Sequence, residues 1–311
     1  MEGGARRLIS DQVRAACAWV ASRARTVRIE EAAIEDYARG LSPGAEPAPD
    51  PATDLVEAGG EARAAFVICL NAINFGSGWW PAIRKRPGHS GYFTIAAGLT
   101  ERFRAAGPWS AHELTQLGPA EIATVTRQDP ELPLMEQYAA SLRDVGERVL
   151  GDHGGRFEAA IEAADGSAPA LADLLAGWEA FADASIYEGQ PVPFYKRAQI
   201  TAADLNRAGV AALREEDRLT AFADNLVPHV LRLDRVLLLD PELEARIEAG
   251  DLLEHGSAEE VELRACAVHA VELLAAASPL SPPQIDGILW NRGRDPRYKS
   301  VPRPRSRNTA Y

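Results

Sequence analysis

Apolar residues recur at helical spacing along most of the chain. Val13, Ala16, Cys17 and Val20 share one face of a helix that begins near Ser10 and Asp11. A second helix is expected over 30–40, ended by Gly40 and Pro43. Residues 42–60 are rich in Pro, Ala, Gly and acid and read as a loop. The apolar run at 61–73 is long and Ala-rich, which favours a buried helix over a strand. Two glycines and a proline break it in Asn74-Phe-Gly-Ser-Gly-Trp-Trp-Pro81, with three aromatics in the break. After the basic turn 84–89, Ser90 can cap a helix running to about Arg104, and Ser110-Ala-His-Glu113 is a capping box. A long helix is expected over 133–150, ended at Gly151, followed by helical segments near 154–164 and 168–179. The turn-rich stretch 187–194 is the one place that suits short strands. Helices then open at 194–200, at Asp240-Pro241 (closed by Gly250), at the capping box Ser257–Glu260 and at Ser281. With no repeat and no Ser- or Gly-rich linker, the pattern predicts an all-α fold. It is expected as a single globular domain over 1–311 with at most a few short strands.

Residues 219–230 differ from the rest. Asp224 is the one acid in a largely apolar stretch. It precedes Pro228 by four residues, and an apolar run from Val230 to Leu238 follows. Pro is tolerated in the first turn of a helix, so Asp224 should lie at or just before a helix start. On position alone a capping role outweighs a catalytic one, because Asp favours caps.

Composition narrows the classes of function. Apolar residues make up 46% of the 311, enough for a core, and no window is apolar enough to span a membrane. The N-terminus lacks the regions of a signal peptide, so a cytoplasmic protein is expected. Cys17, Cys69 and Cys266 are far apart in apolar runs and read as buried thiols. The net charge of −12 argues against long nucleic acid as a partner, although residues 292–311 form a basic C-terminal tail. Alternating Arg303, Arg305 and Arg307 in that tail suggest solvated chain unless Tyr311 docks. The six histidines show no ligand spacing, and no nucleophile elbow, phosphate loop or dinucleotide fingerprint occurs. No metal and no cofactor are implied.

Four segments combine aromatics, charge and helix breaks: 74–81, 194–199, 222–224 and 286–291. An aromatic in a helix break is usually core, and two adjacent cations are usually a solvated face. Lys196 and Arg197 stand at a helix start, however, where free N–H groups suit a phosphate. Asp286 and Trp290 are four apart and share a helix face, which could form one wall of a base pocket or an ordinary surface contact.

The chain resembles the queuosine salvage family. The resemblance rests on Val13-Arg-Ala-Ala-Cys17, Leu70-Asn-Ala-Ile-Asn-Phe-Gly-Ser-Gly-Trp79, Gly91-Tyr-Phe93, Pro133-Leu-Met-Glu136 and Phe194-Tyr-Lys-Arg-Ala-Gln199. It continues through Phe222-Ala-Asp224 with Leu226 and Pro228, Glu260-Val-Glu-Leu-Arg264, Leu289-Trp290 and Tyr311. It implies an all-helical fold akin to the helix-hairpin-helix DNA glycosylases. It also implies hydrolysis of the N-glycosidic bond of queuosine 5′-monophosphate, giving queuine and ribose 5-phosphate. Asp224 maps to the family's catalytic carboxylate, and Phe222 and Ala223 complete that motif. Asp286, Gly287 and Asn291 map to base contacts; some relatives carry Asp where this chain has Asn291 or Asn71. Asp54 falls near the position of a His in some relatives. Phe75, Phe222 and Trp290 are candidate stacking faces for the base. Lys196 first and Arg197 second are candidates for the 5′-phosphate. The expected partner is this small-molecule substrate, handled by a monomer. Alternatives are a glycosidase for another modified nucleoside, a protein that binds queuine or its nucleotide without cleaving it, and a DNA glycosylase, against which the acidic balance argues.

Overall fold

The computed structural model describes residues 8–42 and 50–311. The structure is mainly helical, with 15 α-helices and six short strands among these residues. Residues 43–49 of the 42–60 loop lie outside them; residues 50–59 form turns before the helix Gly60–Ala72. None of the described helices is long and apolar enough to cross a membrane. The described residues fall into two compact units. Each draws on three separate stretches of chain, a division that no sequence linker would mark.

The first unit comprises residues 8–42, Asp183–Lys196 and Glu215–Arg307. Its axis is the helix Ala258–Ala276, buried on nearly every side. A helix buried on most sides belongs inside a core, and here that burial includes Glu260, Glu262 and Arg264. Ile9–Ala21, Glu31–Arg39, Leu226–Leu233 and Pro282–Arg292 pack around it. The sequence confines strands to 187–194, where the hairpin Ala184–Tyr187/Gln190–Pro193 does form. Glu188 and Gly189 both have positive φ, the geometry of a two-residue primed turn. Two further pairings correct the expectation. Val27–Ile29 pairs antiparallel with Leu237–Leu239, so the apolar run after Pro228 is not one helix. Arg235, at φ 64°, follows the helix end at Leu233 and turns the chain into the strand. Leu252–Leu253 pairs in parallel with Arg305–Ser306, so this part of the basic tail is ordered rather than solvated.

Glu262, on the axial helix, explains how the first strand is held. Its carboxylate accepts the backbone N–H groups of Arg25, Thr26 and Val27 and the hydroxyls of Thr26 and Tyr187. The Ser257–Glu260 box forms only by half. Ser257 caps the N–H of Glu260, but the Glu260 carboxylate reaches back to Gly256 instead.

The second unit comprises residues 50–182, Arg197–Arg214 and Asn308–Tyr311. Its longest helix, Pro133–Asp152, runs one residue past Gly151. Gly146 lets this helix approach Ala111–Leu114 closely. A Cβ at Gly146 would stand 2.6 Å from the Ala111 carbonyl oxygen and 2.9 Å from the Thr115 nitrogen. Backbone on the far side cannot yield easily, so Gly146→Ala is expected to destabilise the protein by about 1–3 kcal/mol. An unchanged urea midpoint would show that the helices can separate without loss. The chain's last residues are ordered here too. Asn308 Oδ1 accepts the N–H groups of Ala310 and Tyr311, the Tyr311 carbonyl accepts from Gly76, and the Tyr311 ring is buried.

Candidate active site

Residues 219–225 have no regular secondary structure, yet all but Asp224 are buried. Buried backbone polar groups need partners, and here side chains from three helices supply them. Arg14 donates to the carbonyls of Arg218 and Leu219 (2.8 and 2.9 Å). The Phe222 N–H donates to Asp286 Oδ1 at 2.9 Å, and Arg264 Nε donates to the Ala223 carbonyl at 3.0 Å. The segment is thus held rigidly on both sides of Phe222.

Asp224 comes next. Its Oδ1 accepts the N–H groups of Leu226 (2.7 Å) and Val227 (3.1 Å) and so caps the helix Leu226–Leu233. Asn225 occupies the position just before the helix but makes no cap of its own; its side chain donates to the Pro304 carbonyl at 2.8 Å. Asp224 Oδ2 accepts no hydrogen bond among the described residues, and the side chain is partly exposed. One carboxylate oxygen is fixed and the other faces outward. The position predicted as cap or catalyst is a cap by geometry and retains an open oxygen for chemistry.

A buried ion pair lies behind this segment. Arg264 and Asp183 are 1% and 3% exposed and meet at 2.7 Å. Asp183 Oδ2 also accepts the backbone N–H of Lys196, the first residue of the helix Lys196–Arg207. The helix start expected to greet a phosphate therefore already holds a carboxylate there. The Arg264 guanidinium lies 3.9 Å from the Phe194 ring centroid and 3.8 Å from Glu260. Burial works against the Glu260 charge, but His255, Arg264 and the Gly256 N–H outweigh it and hold the carboxyl below its usual range.

His229, one turn into the capped helix, is fully buried. Its Nε2 lies 2.9 Å from the Tyr298 carbonyl and its Nδ1 3.5 Å from Arg232 Nε. The neutral tautomer with a proton on Nε2 satisfies both. Burial, outweighing the Tyr298 carbonyl, pushes its pKa down to about 4, aided by the nearby Arg232, Arg303 and Arg305 charges. The native state then resists a proton that the unfolded chain accepts near its ordinary pKa of about 6.5. The stabilisation is complete above pH about 6.5 and is lost as pH falls toward about 4; its full size is on the order of 3 kcal/mol. Unfolding free energies of the wild type and His229→Gln across that window should converge at the acid end. Parallel curves would refute the assignment.

The other predicted positions are distributed as follows. Asp286 is buried, Gly287 has open space where a Cβ would stand, and Trp290 is partly exposed with the Arg294 guanidinium 5.3 Å from its ring. Asn291 is exposed and lines a different cleft with Tyr37, Asp234, Arg292 and Tyr298, as its five-residue separation from Asp286 suggests. Phe75, Arg197 and Asp54 belong to the second unit. Phe75 is fully buried, edge-on to Tyr138. Arg197 donates to the carbonyls of Ala72 and Ala310 and lies 5.0 Å from the Phe75 ring. Asp54 pairs with Arg63 at 3.5 Å.

Sequence reasoning did not single out Arg14, Asp183, Asn225 or Arg264 for roles here. Arg264 could have been found, as the one Lys or Arg on the helix Ala258–Ala276 and four residues from Glu260. Asp183 has no local signal, because only tertiary packing buries it.

The model of a family described as queuosine salvage protein matches residues 55–311. A Sphaerobacter thermophilus protein named queuosine 5′-phosphate N-glycosylase/hydrolase is 34% identical over 267 residues, covering 81% of this chain and 83% of that relative. Proteins of the same name from Dictyostelium discoideum (30% identical; 81% and 79% covered) and Mus musculus (28%; 81% and 82%) are also similar. By the extent of the family match and by its likeness to these relatives, the chain belongs to the queuosine salvage family.

Proposed function

We propose that this chain hydrolyses the N-glycosidic bond of queuosine 5′-monophosphate, with Asp224 as the catalytic carboxylate, and so returns queuine for use in tRNA. The names of the similar proteins support the reaction. The observation that carries the site is the Asp224 carboxylate, fixed through Oδ1 and open at Oδ2.

In the reaction the bond from C1′ to the base nitrogen breaks. Water supplies a hydroxyl to C1′ and a proton to the base, leaving ribose 5-phosphate and queuine. Positive charge builds on C1′ as the base departs, and a fixed carboxylate stabilises it or attacks it. Two N–H groups on Oδ1 hold Asp224 in place without neutralising it. Queuine has carbon where guanine has N7, so protonation at that position cannot help it leave. Hydrogen bonds and stacking must do so, and Asp286, Gly287 and Trp290 form one wall of the base site in this reading. Asp286 fixes the spacing of that wall from Asp224 through the Phe222 N–H. We assign no phosphate contact to Arg197, whose guanidinium serves the Ala72 and Ala310 carbonyls. The three free, buried cysteines suit a reducing compartment, and we place the reaction in the cytoplasm.

Incubation of the purified protein with queuosine 5′-monophosphate should yield queuine and ribose 5-phosphate in equal amounts by mass spectrometry. Ligand retained intact on the protein would make it a binding protein instead.

A further inference from the structure

The helix that Asp224 caps is followed, just past Leu233, by a second aspartate. Asp234 is an acid at a helix C-terminus, where the dipole disfavours negative charge. Its side chain is nonetheless only 8% exposed, and other elements meet its charge. Tyr37 donates its hydroxyl to Oδ2 and Tyr298 to Oδ1, each at 2.7 Å. Arg292 Nη1 donates to Oδ2 at 3.0 Å and to the Tyr37 hydroxyl at 2.6 Å. Burial and the Asp234 carboxylate raise the pKa of both tyrosines, which keep their protons as donors.

Arg292 closes the helix Pro282–Arg292, which carries Asp286 and Trp290. That helix meets the Asp224 segment at two further points. Asp286 accepts the Phe222 N–H, two residues before Asp224. Gly293, just past the helix end, packs on Leu226, two residues after Asp224. A Cβ at Gly293 would stand 2.7 Å from Leu226 Cδ1 and 2.8 Å from its Cγ. The Leu226 N–H is itself one of the two that hold Asp224 Oδ1. Two ties thus straddle Asp224, and the third lies at the far end of its helix, about 12 Å along the axis.

We infer that Asp234 is a positioning residue for the glycosidase reaction, an inference that rests on that reading. Through Arg292 it sets the distance from the Asp224 carboxylate to the wall that Asp286 and Trp290 present to the base. Two ties leave rotation about the line that joins them, and the third removes it. A base held at the wrong distance still binds, because every group that contacts it is present. It leaves more slowly, because the carboxylate no longer lies where charge builds on C1′.

The test is steady-state kinetics with queuosine 5′-monophosphate on wild type, Asp234→Asn and Arg292→Met, per mole of folded enzyme. Both variants should lower kcat by roughly 10- to 100-fold with KM held, the scale of a reacting group displaced by about 1 Å. Arg292→Met breaks the tie from its more exposed partner and carries the test alone should Asp234→Asn not fold. Combining the two should lower kcat no further than either alone, because they break the same contact. Arg292→Lys should recover most of kcat, since one nitrogen, Nη1, serves both Asp234 and Tyr37. Gly146→Ala, destabilised in the second unit, should keep the wild-type kcat. An unchanged kcat, a fall matched by Gly146→Ala, a rise in KM alone or a fully additive double variant overturns the inference and leaves the glycosidase reading standing. If wild type cleaves nothing, both fall.

Discussion

Asp224→Asn should lower kcat for queuosine 5′-monophosphate by about 10³-fold or more, the scale of removing a preorganised charge from a transition state. Substrate affinity and stability should hardly change. Asparagine keeps an oxygen in the place of Oδ1, so the N–H groups of Leu226 and Val227 stay capped. Asp224→Ala removes cap and charge together and should cost about 1 kcal/mol of stability in addition. The two variants separate the roles that sequence alone leaves competing. Equal inactivity with unequal stability is expected. An active Asp224→Asn enzyme would reduce Asp224 to a cap.

Asp183→Asn has the larger expected effect on stability. It leaves the Arg264 guanidinium buried beside Phe194 without its closest counter-charge. Breaking a buried pair from one side typically costs roughly 3–5 kcal/mol, more than the pair itself contributes. Urea unfolding should show that loss. Activity should fall with it, because Arg264 also holds the Ala223 carbonyl next to Asp224. Adding Arg264→Met should recover part of the stability by removing the stranded charge, but not the activity. A loss below about 1 kcal/mol for Asp183→Asn would mean that water or another group screens Arg264.

Much of the helical framework was legible because its determinants are local. Ser90 and Ser110 cap the helices their sequences announce, and the apolar run at 61–73 is a buried helix. The place of Asp224 before a helix start followed from Pro228 and the apolar residues beyond it. What was not legible depends on distant partners. The run from Val230 to Leu238 has apolar residues suited to a helix, and only Val27–Ile29 makes its end a strand. The alternating arginines of the tail resemble solvated chain. They are ordered because Asn225, Arg232 and Leu252 reach the intervening backbone. Asp183 looks like any surface acid until packing buries it.

The three-part construction of the first unit sets an order of events during synthesis. The Val27 N–H finds its acceptor on Glu262, 235 residues later. At about 5–20 residues per second, the N-terminal helix waits on the order of ten to fifty seconds for the axial helix it packs against. Until then Val13, Cys17 and Val20 have no core to enter. The emerging chain must be kept from aggregation by chaperones or by its own transient structure, and the unit that carries Asp224 can close only once the chain as far as Arg307 has emerged.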